Sequence, residues 1–218
     1  MKKLSLFANW KSNKTKTEAE EWLNEFNFQG SENIETIILP PFTLLDIVSE
    51  FIKKNNLDIQ IGAQDISPFG MGAYTGEVNG DQIKEFGKYV LIGHSERRSN
   101  FSETKELIDL KIQEAIKNNL IPVVCISDIS ELPTINSPEL IVAYEPLAAI
   151  GTNTPEDPSL VSSVVNEIKS KLVCKVIYGG SVNSQNIKNY TNLDIDGVLV
   201  GGESLKASSF LDLINNAS

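Results

Sequence analysis

The chain has little of what marks several large protein classes. It has two cysteines, Cys125 and Cys174, in 218 residues, too few for a disulfide framework. No segment approaches the ~18 consecutive apolar residues of a membrane-spanning helix. The opening, MKKLSLFANWK, starts basic, but its apolar run is about five residues, short of the ~7–15 of a secretory signal. Lysine and arginine cluster no further than pairs such as Lys53–Lys54 and Arg97–Arg98, and the net charge is −10. Nucleic-acid binding relies on a basic stripe, so nucleic-acid and membrane partners are both excluded at this level. A small anion is not, because the acidic field is screened within ~8 Å at physiological salt. No low-complexity segment or linker interrupts the chain. At 41% apolar and 22% charged residues, the composition is that of a globular protein. The expectation is one soluble, cytoplasmic domain over residues 1–218.

What is present is a series of short apolar runs: LSLFANW (4–10), ETIILPP (35–41), IQIGAQD (59–65), YVLIGHS (89–95), IPVVCIS (121–127), LIVAYEP (140–146), KVIYGG (175–180) and GVLVGG (197–202). Each is nearly continuous, as for parallel strands covered on both faces. Helical spacing lies between most of them. Leu44, Ile47, Val48, Phe51 and Ile52 share a face, as do Ile108, Ile112, Ala115 and Ile116. Val161, Val164, Val165, Ile168 and Leu172 form a third stripe, and Ala207, Phe210, Leu211 and Ile214 a fourth. Asp157–Pro158 reads as an N-cap followed by proline at the first helical position. Eight strands alternating with helices predict an α/β fold of the (β/α)₈ TIM-barrel type, with an open doubly wound sheet as the alternative. The chain is compact for such a barrel, which typically takes ~250 residues. Only 13 residues, SDISELPTINSPE, separate Ile126 from Leu140. The helix after the fifth strand is therefore expected to be shortened or missing.

Barrel active sites sit at the C-terminal ends of the strands. There the chain delivers Asn9-Trp10-Lys11, His94-Ser95-Glu96-Arg97-Arg98, Glu145-Pro146, Gly179-Gly180-Ser181 and Gly201-Gly202. Glu145 can serve as a general base, His94 as a hydrogen-bond donor to a carbonyl oxygen, and Lys11 as a fixed positive charge. The glycine pairs would let backbone N–H groups approach an anion. Each feature alone has an ordinary structural explanation. Together, at corresponding strand ends, they suit proton abstraction beside the carbonyl of a small phosphorylated molecule. Spacing alone does not fix the reaction.

The motifs FANWKSN, LIGHSERR, AYEPLAAIGT, IYGGSV and GVLVGGESL, in this order from Asn9 to Leu205, resemble the triosephosphate isomerase family. The resemblance implies interconversion of dihydroxyacetone phosphate and D-glyceraldehyde 3-phosphate, with no metal and no cofactor; the alternatives are another phosphate-binding barrel enzyme and a degenerate phosphate-binding protein without turnover. It makes Glu145 the base, His94 a neutral electrophile, Lys11 an electrostatic clamp and Asn9 a substrate-binding neighbour. Glu96 resembles the family's supporting acid near Lys11. Gly151, Ser181, Gly201 and Gly202 match positions that hold the phosphate. The stretch after Glu145 matches a mobile lid, with Pro146 and Pro155 bracketing it.

This sequence departs from the family at a few places. Ala148 stands where a bulky aromatic is usual in the lid, and Asn153 where glycine is common. Ser127-Asp128 replaces Gly-Glu, Ser12 replaces a common Met, and Glu203 replaces a small residue beside Gly201-Gly202. A carboxylate there would repel a phosphate unless it points away. The Gly-rich stretch GMGAYTGEVNG (70–80) matches the loop that, in the family, inserts near a neighbouring subunit's active site. A homodimer through the loop around Thr75 is the resulting expectation.

Overall fold

The computed structural model describes residues 3–26, 28–149, 151, 152 and 154–217. Its centre is a closed barrel of eight parallel strands in sequential order. These are β1 (Leu4–Asn9), β2 (Ile34–Leu39), β3 (Ile59–Ala63), β4 (Tyr89–Ile92), β5 (Ile121–Ile126), β6 (Ile141–Tyr144), β7 (Lys175–Tyr178) and β8 (Gly197–Val200). β8 closes on β1 with Ser5 opposite Gly197 and Ala8 opposite Val200. Around it run α1 (Lys16–Phe26), α2 (Leu45–Asn55), α3 (Gly80–Ile83), α4 (Ser95–Asn100), α5 (Lys105–Lys117), α6 (Pro158–Lys171), α7 (Ile187–Thr191) and α8 (Ala207–Ala217). The eight apolar runs are the eight strands, and the four apolar stripes are α2, α5, α6 and α8. The strands stop earlier than the runs do, because residues such as His94 leave the ladder to cap the next element.

Side-chain alternation sorts the core into two layers. Phe7, Ile37, Leu39, Leu91, Val123, Ile141, Ala143, Ile177 and Leu199 fill the barrel interior. Leu6, Ala8, Val142, Tyr144, Val176, Tyr178 and their counterparts pack outward against the helices. Asp157 caps α6, accepting from Ser159 N–H at 2.8 Å, with Pro158 in the first turn.

Between β5 and β6 there is only a 3₁₀ turn, Ile129–Glu131. The segment after it is strapped to α5. Thr134 donates its N–H and hydroxyl to Asp109, at 3.2 and 2.8 Å, and Lys105 Nζ donates to the Leu132 carbonyl. Leu132 is buried beneath this strap. The missing helix is thus replaced by a short loop held through side chains. Asn153 lies outside the described residues.

Candidate active site

The inner register aims the strand ends at one point. Phe7 faces the interior, so Asn9, two residues on, faces the same side. By the same rule Ala143 leads to Glu145, Ile177 to Gly179 and Leu199 to Gly201. They meet in a cavity of about 250 Å³, lined among others by Asn9, Lys11, His94, Glu145, Gly151, Ser181, Gly201, Gly202 and Glu203. The residues expected as base, electrophile and cation line this one cavity, as do Gly151, Gly179, Ser181, Gly201 and Gly202 of the expected phosphate neighbours; Gly180 does not. Glu96 lines the adjoining one.

Lys11 has a left-handed backbone, φ +53°, costing roughly 1–2 kcal/mol for a residue with a Cβ. Side chains hold it there. Its N–H donates to Asn9 Oδ1 at 3.0 Å, and Gln64 Nε2 donates to the carbonyls of Lys11 and Leu39, both at 2.8 Å. Lys11 Nζ lies 2.5 Å from Glu96 Oε1. Both groups are partly exposed, so this pair orients the ammonium more than it stabilises the fold.

His94 is buried and caps α4. The Glu96 N–H donates to its Nδ1 at 3.2 Å. A nitrogen that accepts a hydrogen bond carries no proton, so this contact favours the neutral ring with its proton on Nε2. Nε2 lies 3.5 Å from Glu145 Oε1. Burial opposes the imidazolium, but the Glu145 and Glu96 carboxylates outweigh it and raise His94 above the ordinary histidine value. Without the Glu145 charge the larger of those two influences would be gone, leaving burial, the largest single influence, against Glu96.

Glu145 is 4% exposed. Its N–H is tied to the Ile126 carbonyl at 2.8 Å, and among the described residues no donor reaches its buried Oε2. A buried carboxylate oxygen without a donor is costly. Here it leaves an acceptor beside the cavity. Cys125 lies buried inside β5; burial, then the nearby Glu145 carboxylate, push its thiol well above the usual range, so it stays protonated.

Both glycines after β7 are expected as anion contacts; in the structure each makes room for a side chain. A Cβ at Gly179 would sit 2.7 Å from Glu145 Cγ and 3.0 Å from its Oε1. A Cβ at Gly180 would sit 2.1 Å from the Tyr178 hydroxyl. The role of Gln64 was also missed; it stood in the sequence only as the polar end of IQIGAQD. A further buried network was not anticipated: Asp65 and Glu103 face Arg97 and Lys111 at 2.5–2.8 Å. It ties α4 and the middle of α5 to Asp65, just after β3, and Glu103, just before α5.

Residues 147–149, in the stretch expected to be a lid, form a 3₁₀ turn with Ala149 buried and Leu147 and Ala148 exposed. Ser181, itself at φ +51°, donates its hydroxyl to the Ala149 carbonyl at 2.5 Å. Gly151 has φ +67° with nothing near its missing Cβ. Glu203 is among the residues at the cavity and is exposed. It adds negative charge beside Gly201 and Gly202.

A second cavity of about 270 Å³ adjoins the first, sharing Asn9, Lys11 and His94 and adding Gln64, Glu96, Arg97 and Phe101. Phe69, Met71 and Tyr74, on the loop between β3 and α3, are exposed, as is Phe101. Phe69 and Tyr74 stack at 4.3 Å. Among the described residues no helix is long and apolar enough to cross a membrane.

A family model described as triosephosphate isomerase matches residues 4–217. The chain is 38% identical over 245 aligned positions to the triosephosphate isomerase of Mycoplasmopsis pulmonis (strain UAB CTIP), covering 98% of each chain. It is 36% identical over 241 positions to that of Trichormus variabilis, covering 99% of each. It is 36% identical over 251 positions to that of Dictyoglomus thermophilum, covering 99% of this chain and all of the other. Alignments longer than 218 residues mean that these relatives carry segments this chain lacks.

Proposed function

The chain belongs to the triosephosphate isomerase family, and from that premise we propose how its own residues interconvert dihydroxyacetone phosphate and D-glyceraldehyde 3-phosphate. The substrate's carbonyl oxygen takes a hydrogen bond from His94 Nε2–H and lies within the field of Lys11. The Glu145 carboxylate removes a proton from the carbon beside the carbonyl and returns it to the neighbouring carbon. The charge that develops is an enediolate, and a fixed ammonium and imidazole donor in a site shielded from water lower its energy by several kcal/mol. A hydroxyl proton must also pass between the two oxygens, and His94 is the donor available for it. Asn9 orients Lys11, and Glu96 holds its ammonium. The phosphate lies against Gly151, Ser181, Gly201 and Gly202.

The observation that supports this most is the Glu96 N–H at His94 Nδ1, because it leaves the other ring nitrogen as the donor, 3.5 Å from Glu145. The test is Glu145→Asp in a coupled isomerase assay. Retracting the carboxylate by about 1 Å is expected to lower kcat on the order of 10²-fold. An unchanged kcat would exclude Glu145 as the base.

The second cavity and the exposed aromatic loop support a homodimer in which the loop around Thr75 of one copy enters that cavity of the other. Light scattering is expected to give twice the chain mass. A monomer mass with full activity would refute it. A small phosphorylated substrate and this chemistry fit a cytoplasmic enzyme of glycolysis and gluconeogenesis.

A further inference from the structure

Glu156 stands at the C-terminal end of the lid, and three tyrosine hydroxyls hold it. Tyr144 Oη donates to Glu156 Oε2 at 2.9 Å. The Glu156 N–H donates to Tyr178 Oη at 3.0 Å, and Tyr190 Oη donates to the Glu156 carbonyl at 2.6 Å. The rings are buried, and those of Tyr178 and Tyr190 stack at 4.6 Å. Two of the three contacts use the backbone of residue 156 and would survive any side chain there. The third requires a side chain long enough to reach Tyr144 and able to accept.

Tyr144 is the last residue of β6 and directly precedes Glu145. By strand alternation its ring faces the helices while Glu145 faces the cavity. A bond to the Tyr144 hydroxyl therefore fixes the outer side of the strand end whose inner side carries the base. At the other end of the lid Ala148 is exposed. Burial, and then the Glu156 carboxylate, push the Tyr144 hydroxyl above its ordinary value, so it remains a donor at neutral pH.

We propose that the Glu156 carboxylate is a positioning residue, clamping the C-terminal end of the lid to the strand end that presents Glu145 and so keeping the lid over the reacting enediolate. This rests on Glu145 being the base. The clamp matters because an enediolate open to water has a competing path. Its electron pair expels the phosphate: the adjacent C–O bond breaks, inorganic phosphate leaves with the bonding electrons, and the remaining enol gains a proton on carbon and loses its hydroxyl proton to become a dicarbonyl. No oxidant is needed, so only closure of the site opposes this loss.

The test compares Glu156→Ala, Glu156→Gln, Tyr144→Phe and the Tyr144→Phe/Glu156→Ala double variant in the full chain. Three quantities are measured: kcat and KM with D-glyceraldehyde 3-phosphate, inorganic phosphate released per isomerisation, and the melting temperature. Glu156→Ala and Tyr144→Phe are each expected to lower kcat/KM about tenfold, as for loss of a charge-assisted hydrogen bond, and to raise phosphate released per turnover. The double variant should be no worse than either single one, because both remove the same contact. Glu156→Gln keeps an accepting oxygen and should restore most of the loss. If Glu156→Ala fails to fold, Tyr144→Phe tests the same bond from the other side. A lowered melting temperature with unchanged kcat/KM and unchanged phosphate release would overturn the proposal, as would additive single effects. Activity retained in Glu145→Gln would instead overturn the assignment of the base beneath it, a result separable from any effect at Glu156.

Discussion

Replacing Gly179 with alanine perturbs Glu145, the proposed base, without substituting it. The new Cβ would lie 2.7 Å from Glu145 Cγ, whereas non-bonded carbons rest at about 3.5–4.0 Å. Gly179 has no left-handed backbone conformation to preserve, so alanine strains no dihedral, and the clash must be relieved by movement. Glu145 is buried and its backbone is tied to the neighbouring strand, so its side chain is what moves, by about 1 Å to regain normal contact. A misplacement of that size costs on the order of 10²-fold in rate, while overpacking of this kind costs about 1–3 kcal/mol of stability. The coupled assay should therefore show kcat down about a hundredfold with KM little changed, in a protein that still melts cooperatively. Wild-type kcat in folded Gly179→Ala would refute the reasoning, because the carboxylate would then tolerate a displacement this chemistry cannot.

Two more predictions address the other groups of the site. Lys11→Met should abolish measurable turnover while leaving circular dichroism intact, since the ammonium is partly exposed and its partner Glu96 more so; activity in the folded variant would point to another cation. His94 is the chain's only histidine, so its NMR titration is free of overlap. Glu145→Gln removes the larger of the two carboxylate influences that raise it, and burial then dominates. The His94 midpoint should therefore fall in the variant relative to wild type, and an equal or higher midpoint would contradict the Glu145–His94 contact.

The barrel was legible because strands buried on both faces are continuous apolar runs, and α2, α5, α6 and α8 because each carries a full apolar stripe. α4 escaped for the opposite reason: none of its residues is buried, and its existence follows from His94 capping it. α3 and α7 are too short to show a period. α1 buries Ala19, Trp22, Leu23 and Phe26 amid glutamates, so its stripe was present but diluted. Within the site, residue types marked the candidates, since the chemistry proposed for Lys11, His94 and Glu145 resides in their own side chains. The work of Gly179, Gly180 and Gln64 was not legible. It depends on which distant atoms approach them, and Gly179 answers to a side chain from another strand. Nor did the sequence show that Glu203 stands at the cavity, because an exposed residue beside a turn has no period to reveal its placement.

The central claim is that Glu145 moves the proton between adjacent carbons. Incubation with dihydroxyacetone phosphate in deuterium oxide, followed by NMR of the recovered triose phosphates, reads that transfer itself. The wild-type chain should place deuterium on the carbon where the proton is removed and returned, and Glu145→Gln, equally folded, should leave it almost unlabelled. Deuterium entering at wild-type rate in Glu145→Gln would contradict the claim.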